Sequence, residues 1–505
     1  MGRFAPKESD MDKIGFDNEK YVQIQSQKIK ERIDQFGGKL YLEFGGKLFD
    51  DFHASRVLPG FKPDTKLHML LEMKDEAEVI IVINSQAIED MKVREDLGIT
   101  YDQDVLRLID AFREAGLYVG SVVLTRYANQ KGTKRFEKYL NKLGIKTYRH
   151  YAIANYPYDV DHIVSKDGLG KNDYVETSRS LVVVTAPGPG SGKMATCLSQ
   201  IYHDSLRGVK SGYAKFETFP IWNLPLKHMV NLAYEAATAD LDDVNMIDPY
   251  HLEHYGVSTV NYNRDVEIFP VLNRLISAIF GESPYFSPTD MGVNMAGYCI
   301  CDDEACQNAS RQEIIRRYYK ALMDARKGRS VEGAIAKIES LMNNNGIAIS
   351  ERRCIAPCVE KAKATNAPAS AIEIETGEII TGKTSSLLGA TAAMILNALK
   401  VLAGISDRIS LLPKAIIEPI CDLKIKGLGH HNPRLHVDDV LLALSISAVT
   451  NPLAELALAQ LPRLRGCESH SSVILSSRDL STLNRLGIRH TCEPFYETRK
   501  LYHSK

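Results

Sequence analysis

Two stretches of the chain combine the residue types that hold a phosphate: glycines, a hydroxyl and a lysine. They are TAPGPGSGKMAT at 185–196 and TGEIITGKTSS at 376–386. Such a loop works when several backbone N–H groups converge on one anion at the start of a helix, whose dipole adds partial positive charge. Glycine serves where backbone must approach the ligand or take positive φ, and the lysine reaches the outer phosphates. The second stretch fits G-x-x-x-x-G-K-[ST] from Gly377 to Thr384. The first misses it twice, with Pro187 in place of the leading Gly and Met194 after the Lys.

Context reverses that ranking. LVVVT, before the first stretch, reads as a buried strand that PGPGSG cannot extend. MATCLSQIYHDSL then sets Met194, Cys197, Leu198 and Ile201 on one helical face. The pattern predicts strand, turn and helix, with Gly188, Gly190, Ser191, Gly192, Lys193 and Thr196 around a phosphate. Met194 cannot supply the hydroxyl that holds Mg²⁺ in a Walker site, and Ser191 or Thr196 would do so only at another angle. In the second stretch Glu-Ile-Ile-Thr favours extended chain, and Thr376-Gly377 reads as a hairpin turn. Its second half, Gly382, Lys383, Thr384 and Ser385, precedes a long apolar run. It is expected to form a capped helix start, either ordinary or a secondary anion site for a carboxylate or single phosphate.

Further candidates lie between. TADLDDVNMID (238–248) clusters Asp240, Asp242, Asp243 and Asp248, which could hold Mg²⁺ or position a nucleophile, or simply form a polar loop with a helix cap. In VNYNRDVEIFP, Arg264 could clamp a carboxylate or phosphate, or pair internally with Asp265. Lys193, Asp240, Asp243 and Arg264 are therefore the catalytic candidates. GHHNPRLHVDD holds His430, His431 and His436 at no common metal spacing, leaving acid–base or substrate contact as its chemistry. His251 and His254 of HLEH read as surface or packing residues. Cys299, Cys301, Cys306, Cys354 and Cys358 lack paired C-x-x-C knuckles, so no zinc or other metal site is expected and they read as packing residues.

The elements that must position these residues alternate. KLYLEF (39–44), EVIIVIN (78–84), YVGSVVLT (118–125) and SLVVVT (180–185) are short and rich in Val and Ile. TYDQDVLRLIDAFREAG, between two of them, carries a Val105, Leu108, Ile109, Phe112 stripe. Near-continuous apolar strands separated by helices predict an α/β fold with a mostly parallel sheet covered on both faces, Rossmann-like or P-loop-like. A helical section follows, about 289–330 and onward to Asn343. ASAIEIET and GEIIT then read as two strands, and SSVILS, DLSTLNRL and GIRHTCE as strand, helix and strand. The predicted division is an N-terminal α/β domain, 1–330, and a smaller C-terminal α/β domain, 331–505.

The 505 residues carry 62 basic and 63 acidic side chains, a formal net charge of −1. That balance offers no footprint for nucleic acid. The N-terminus has no apolar signal-peptide core, and the longest apolar run is interrupted by Asn397 and Lys400, so neither export nor a membrane span is expected. Nine Cys, an odd number, fit reduced thiols in a cytoplasm.

PGPGSGKMATCLSQ, FPIWNLPLKHMVNLAYEAATADLDDVNMIDP, VNYNRDVEIFPVL, TGKTSSLLGA and GLGHHNPRLHVDDVL resemble stretches of an uncharacterised bacterial family of about this length, a domain of unknown function and uncharacterised protein family. The resemblance spans nearly the whole chain and implies a two-part α/β protein of a bacterial cytosol, homo-oligomeric, with no established reaction. An ATP-dependent peptidase label has accompanied relatives, but neither G-x-S-x-G nor H-E-x-x-H occurs here. The expectation is an enzyme that binds ATP or another nucleotide with Mg²⁺, or a phosphorylated ligand, for phosphoryl transfer or ligation. The alternatives are a nucleotide-independent enzyme acting on a small anionic metabolite, and an inactive binding or assembly protein.

Overall fold

Valine- and isoleucine-rich runs pair into one parallel sheet because both of their faces find apolar cover. The computed structural model describes residues 14–498 apart from 46–47, 50, 95–96 and 330. It divides into two compact units. The first comprises Gly15–Glu235 and Asp243–Cys306, and the second Ala236–Asp242 and the chain from Gln307 onward. The main division thus falls inside the helix Asp303–Arg326, ahead of residue 330, and a short excursion at 236–242 precedes it.

The first unit holds seven parallel strands: β1 (Leu40–Phe44), β2 (Ala77–Asn84), β3 (Tyr118–Thr125), β4 (Lys146–Arg149), β5 (Leu181–Thr185), β6 (Gly212–Phe216) and β7 (Gly292–Val293). Their spatial order is β7-β6-β1-β5-β2-β3-β4. Helices flank the sheet. Helix α1 (Tyr101–Glu114) buries Val105, Leu108, Ile109 and Phe112, the stripe its sequence shows. Helix α2 (Lys193–Leu206) follows β5 and buries Cys197, Leu198 and Ile201 against Val182 and Val184. Helix α3 (Asn263–Phe280) contributes Phe269, Leu272, Leu275 and Ile276 to the same core. Burying a side chain of this kind stabilises the fold by roughly 1.5–3 kcal/mol.

Strand order singles out one pair of neighbouring strands. From β1 the chain travels to β2 on one side, and from the adjacent β5 it travels to β6 on the other. Connections that leave two neighbouring strands in opposite directions mark the switch point at whose carboxyl ends α/β sheets commonly bind ligands.

The second unit is built from helices α4 (Glu332–Asn344) and α5 (Ile355–Thr365) and a four-stranded mixed sheet. The sheet comprises β8 (Ala369–Glu373), β9 (Ile379–Lys383), β10 (Glu468–Ser471) and β11 (Arg489–Cys492), in the order β9-β8-β10-β11. Helices α6 (Ala390–Leu402), α7 (Val437–Ala448) and α8 (Ser477–Arg485) complete it, with Met394, Ile395, Leu399, Val440 and Leu444 in the core. One expectation is corrected here. SSVILS is not the strand before α8; the more polar Glu468–Ser471 is. Its side chains are hydrogen-bonded inside the fold: Ser469 Oγ meets His490 Nδ1 at 2.9 Å, and His470 Nδ1 meets Thr491 Oγ1 at 2.8 Å. Buried Arg352 donates to Ser469 O at 2.9 Å and to Thr491 Oγ1 at 2.9 Å. Satisfied polar groups make a buried strand that hydropathy does not find.

Candidate functional site at the carboxyl ends of the parallel strands

The turn Pro187–Gly192 leaves β5 and opens directly into α2, whose first residue is Lys193. Two glycines are required by geometry. Gly192 caps the helix at φ +94°, a left-handed conformation, and a Cβ at Gly188 would lie 2.3 Å from the Tyr101 hydroxyl. Neighbouring strand ends clamp the turn from its carbonyl side. Thr125 Oγ1 donates to Ser191 O at 2.5 Å, and Asn84 Nδ2 donates to Gly190 O at 3.3 Å.

The donor side is unspent. The first hydrogen bond of α2 runs from Thr196 N to Gly192 O, at 2.9 Å. The amides of Gly190, Ser191, Gly192, Lys193, Met194 and Ala195 donate to no protein group among the described residues. Ser191 is 4% exposed, and its Oγ has no hydrogen-bond partner among them either. A buried hydroxyl without a partner is costly, and the unpaired amides of a helix start are the groups that a bound anion satisfies. Thr196 plays a different part from the expected one. Its hydroxyl donates to Gly192 O at 3.0 Å and so closes the first helical turn.

One charged side chain stands beside this turn, and more follow from its register partner on the next strand. Glu43, on β1, is 8% exposed; its Oε2 accepts from the Tyr213 hydroxyl at 2.8 Å, and its Oε1 lies 3.9 Å from Lys193 Nζ. Lys215, the register partner of Glu43 on β6, lies 2.7 Å from both Glu217 Oε1 and Asp265 Oδ2. Burial lowers the Lys215 pKa, but the charges and hydrogen bonds of Asp265 and Glu217 outweigh it and raise the value overall. Burial also raises Glu217, against the opposing pull of Lys215 and with support from Asp265. Tyr213 is pushed well up, first by burial and then by the Glu43 charge, so it acts as a hydroxyl donor. Tyr156 rises to about 12 for the same two reasons. Glu43, Tyr213, Lys215 and Glu217 are candidates that the residue pattern alone did not single out; the signal was a carboxylate inside the apolar KLYLEF.

The profile described as "Domain of unknown function DUF1846, N-terminal" matches residues 14–346, and that described as "Domain of unknown function DUF1846, C-terminal" matches residues 350–502. The chain belongs to this family. A UPF0371 protein of Streptococcus equi subsp. equi is 57% identical over 494 residues, 98% of this chain and 100% of the relative. One of Streptococcus thermophilus is 57% identical over 492 residues, 97% of this chain and 100% of the relative. One of Streptococcus pneumoniae is 56% identical, again over 97% of this chain and 100% of the relative.

In this member of the DUF1846 family the remaining candidates disperse. Asp240 and Asp242 belong to the second unit, whereas Asp243 belongs to the first. Asp243 is buried and pairs with Arg264 Nη2 at 3.2 Å, so Arg264 is engaged with Asp243, while Asp265 holds Lys215. Asp248 caps a helix, accepting from the Tyr250 and His251 amides, both at 3.1 Å.

The GKTSS segment is corrected as well. Gly382 and Lys383 lie in β9, and the helix begins only at Ala390. Thr384 N donates to Pro368 O and Ser385 N to Leu388 O, so neither amide is open to an anion. Gly377 sits at φ +77° in the hairpin turn, its N–H bonded to Ile374 O. His436 Nδ1 meets Asp479 Oδ2 at 2.8 Å, and His436 starts α7. Cys299 and Cys306 are buried, Cys301 is exposed, and Cys354 and Cys358 pack with Ala369 and Ala371. No helix among the described residues is long and apolar enough to cross a membrane.

Proposed function

We propose that the first unit binds a phosphorylated small molecule, nucleotides included, at the turn ahead of α2, and acts on it as an enzyme of phosphoryl transfer or ligation. The observation that carries this reading is the run of unspent amides from Gly190 to Ala195 around the unpartnered Ser191 hydroxyl. Its position at the switch between β1 and β5 supports it, because that is where such sheets commonly take ligands. Lys193 heads the helix and supplies the mobile cation. Glu43, with Lys215, Glu217 and Asp265 behind it, supplies the acid–base groups, a part expected of Asp240, Asp243 and Arg264.

Met194 favours a second reading at the same turn, a phosphorylated metabolite bound without nucleotide. A thioether in the position of the Walker hydroxyl holds no Mg²⁺ there, so a triphosphate loses its usual metal anchor. Nine cysteines, an odd number, support a reducing cytoplasm as the site of either activity.

Melting shifts with a panel of nucleotides and phosphorylated metabolites, with and without Mg²⁺, test both readings, since a ligand selective for the native state must stabilise it. With a ligand in hand, Lys193→Ala is expected to weaken binding at least about tenfold, roughly 1.4 kcal/mol, without loss of folding. Unchanged affinity by calorimetry removes the turn from the site.

A further inference from the structure

The phosphate reading leaves the second half of the ligand open, and Glu43 narrows it. One oxygen of this carboxylate is held by the Tyr213 hydroxyl at 2.8 Å. The other, Oε1, accepts no hydrogen bond from a described residue; the nearest cation, Lys193 Nζ, stands 3.9 Å away, beyond hydrogen-bond reach. The Glu43 side chain is only 11% exposed. That oxygen keeps its acceptor capacity for a donor that a ligand brings, and a hydrogen bond to an ionised acceptor is among the stronger ones.

The same geometry sets a constraint on charge. Lys193 stands close to Glu43 and at the head of the helix whose amides point to the phosphate. A phosphate on the turn therefore lies within a side chain's reach of a carboxylate, and like charges that close repel. The repulsion is offset if the ligand itself donates to Glu43. The Lys193 ammonium already stands 3.9 Å from Oε1 as its counter-charge, so what the oxygen lacks is a hydrogen bond and not a charge. A hydroxyl supplies one. It donates to Oε1, leaves Lys193 to the phosphate, and adds no charge.

Resting on the phosphate reading above, we propose that the ligand is a phosphorylated polyol, a sugar phosphate or the sugar-phosphate part of a nucleotide, with Glu43 accepting from a hydroxyl near the phosphate. Tyr213 is the positioning residue that fixes the carboxylate. The recognition is two-point: turn amides and Lys193 for the phosphate, Glu43 for the polyol.

The test measures binding of inorganic phosphate, ribose 5-phosphate and AMP to the full chain by calorimetry, in wild type, Lys193→Ala, Glu43→Gln and Tyr213→Phe. Ribose 5-phosphate, AMP or both should bind wild type at least tenfold more tightly than inorganic phosphate, and the comparison of the two separates a free sugar phosphate from a nucleotide. Glu43→Gln should remove most of that advantage while leaving inorganic phosphate bound as well or better. Lys193→Ala should weaken all three. Tyr213→Phe, which keeps the ring in the core, should weaken the polyol phosphates without weakening inorganic phosphate, and it carries the test if Glu43→Gln does not fold. If Glu43→Gln changes all ligands equally, or if the polyol phosphates bind wild type no better than phosphate alone, Glu43 is only a counter-ion of Lys193; the polyol inference then fails while the phosphate reading stands. If none of the three binds wild type, the phosphate reading fails and takes this inference with it.

Discussion

At the scale of single residues, Lys215 has the most to lose. It is one cation between two carboxylates, and Glu217 and Asp265 each lie 2.7 Å from its ammonium. Removing one partner from a buried ion pair leaves an uncompensated charge, which costs more than the pair contributes. Lys215→Met should therefore destabilise the protein by about 3 kcal/mol in chemical denaturation, even though methionine packs well. Glu217→Gln should cost less than about 1 kcal/mol, because burial already opposes that charge and Asp265 still pairs with Lys215. Equal losses in the two variants would mean the three groups are not coupled in this way. None of this was legible in the sequence. Glu43 and Tyr213 stand 170 positions apart, each a lone polar group in a strand-like run, and only the sheet register brings them together.

At the scale of elements, the loop with the literal phosphate-binding pattern is a hairpin followed by a close strand–helix contact. A Cβ on Gly382 would lie 2.1 Å from Met394 N and 2.6 Å from Ala390 O, both backbone atoms of α6 that cannot step aside. Gly382→Ala should accordingly cost at least about 1–3 kcal/mol through overpacking. Gly377→Ala meets open space apart from the Arg353 guanidinium at 3.6 Å, and loses about 1–2 kcal/mol through its left-handed φ. Neither change should alter binding of phosphate compounds, and weakened binding in either variant would return this loop to the list of sites. Sequence context was enough to separate the two loops, because Val-rich chain before one turn and β-branched chain within the other point to different backbones. The limit of such reading shows at β10. Ser469, His470 and Ser471 form a buried strand only because His490, Thr491 and Arg352 satisfy them, and those partners come from other segments.

At the scale of the whole molecule, the notable feature is the short excursion at 236–242. Its 3₁₀ turn, Ala239–Leu241, packs on α4 within the second unit, although first-unit sequence lies on both sides of it. Ala239 is 4% exposed. Ala239→Asp buries an unpaired carboxylate there and should cost about 2–4 kcal/mol. The loss should show as faster hydrogen exchange in α4 and leave protection in β1, β2 and β5 intact; the reverse pattern would place the turn in the first unit. The excursion also orders events in time. The turn leaves the ribosome with the first unit, but α4 begins about 90 residues later, at Glu332. At about 5–20 residues per second, the turn waits roughly 5–20 seconds before its docking site exists. During that interval Ala239, buried in the finished fold, stands without the helix it packs on.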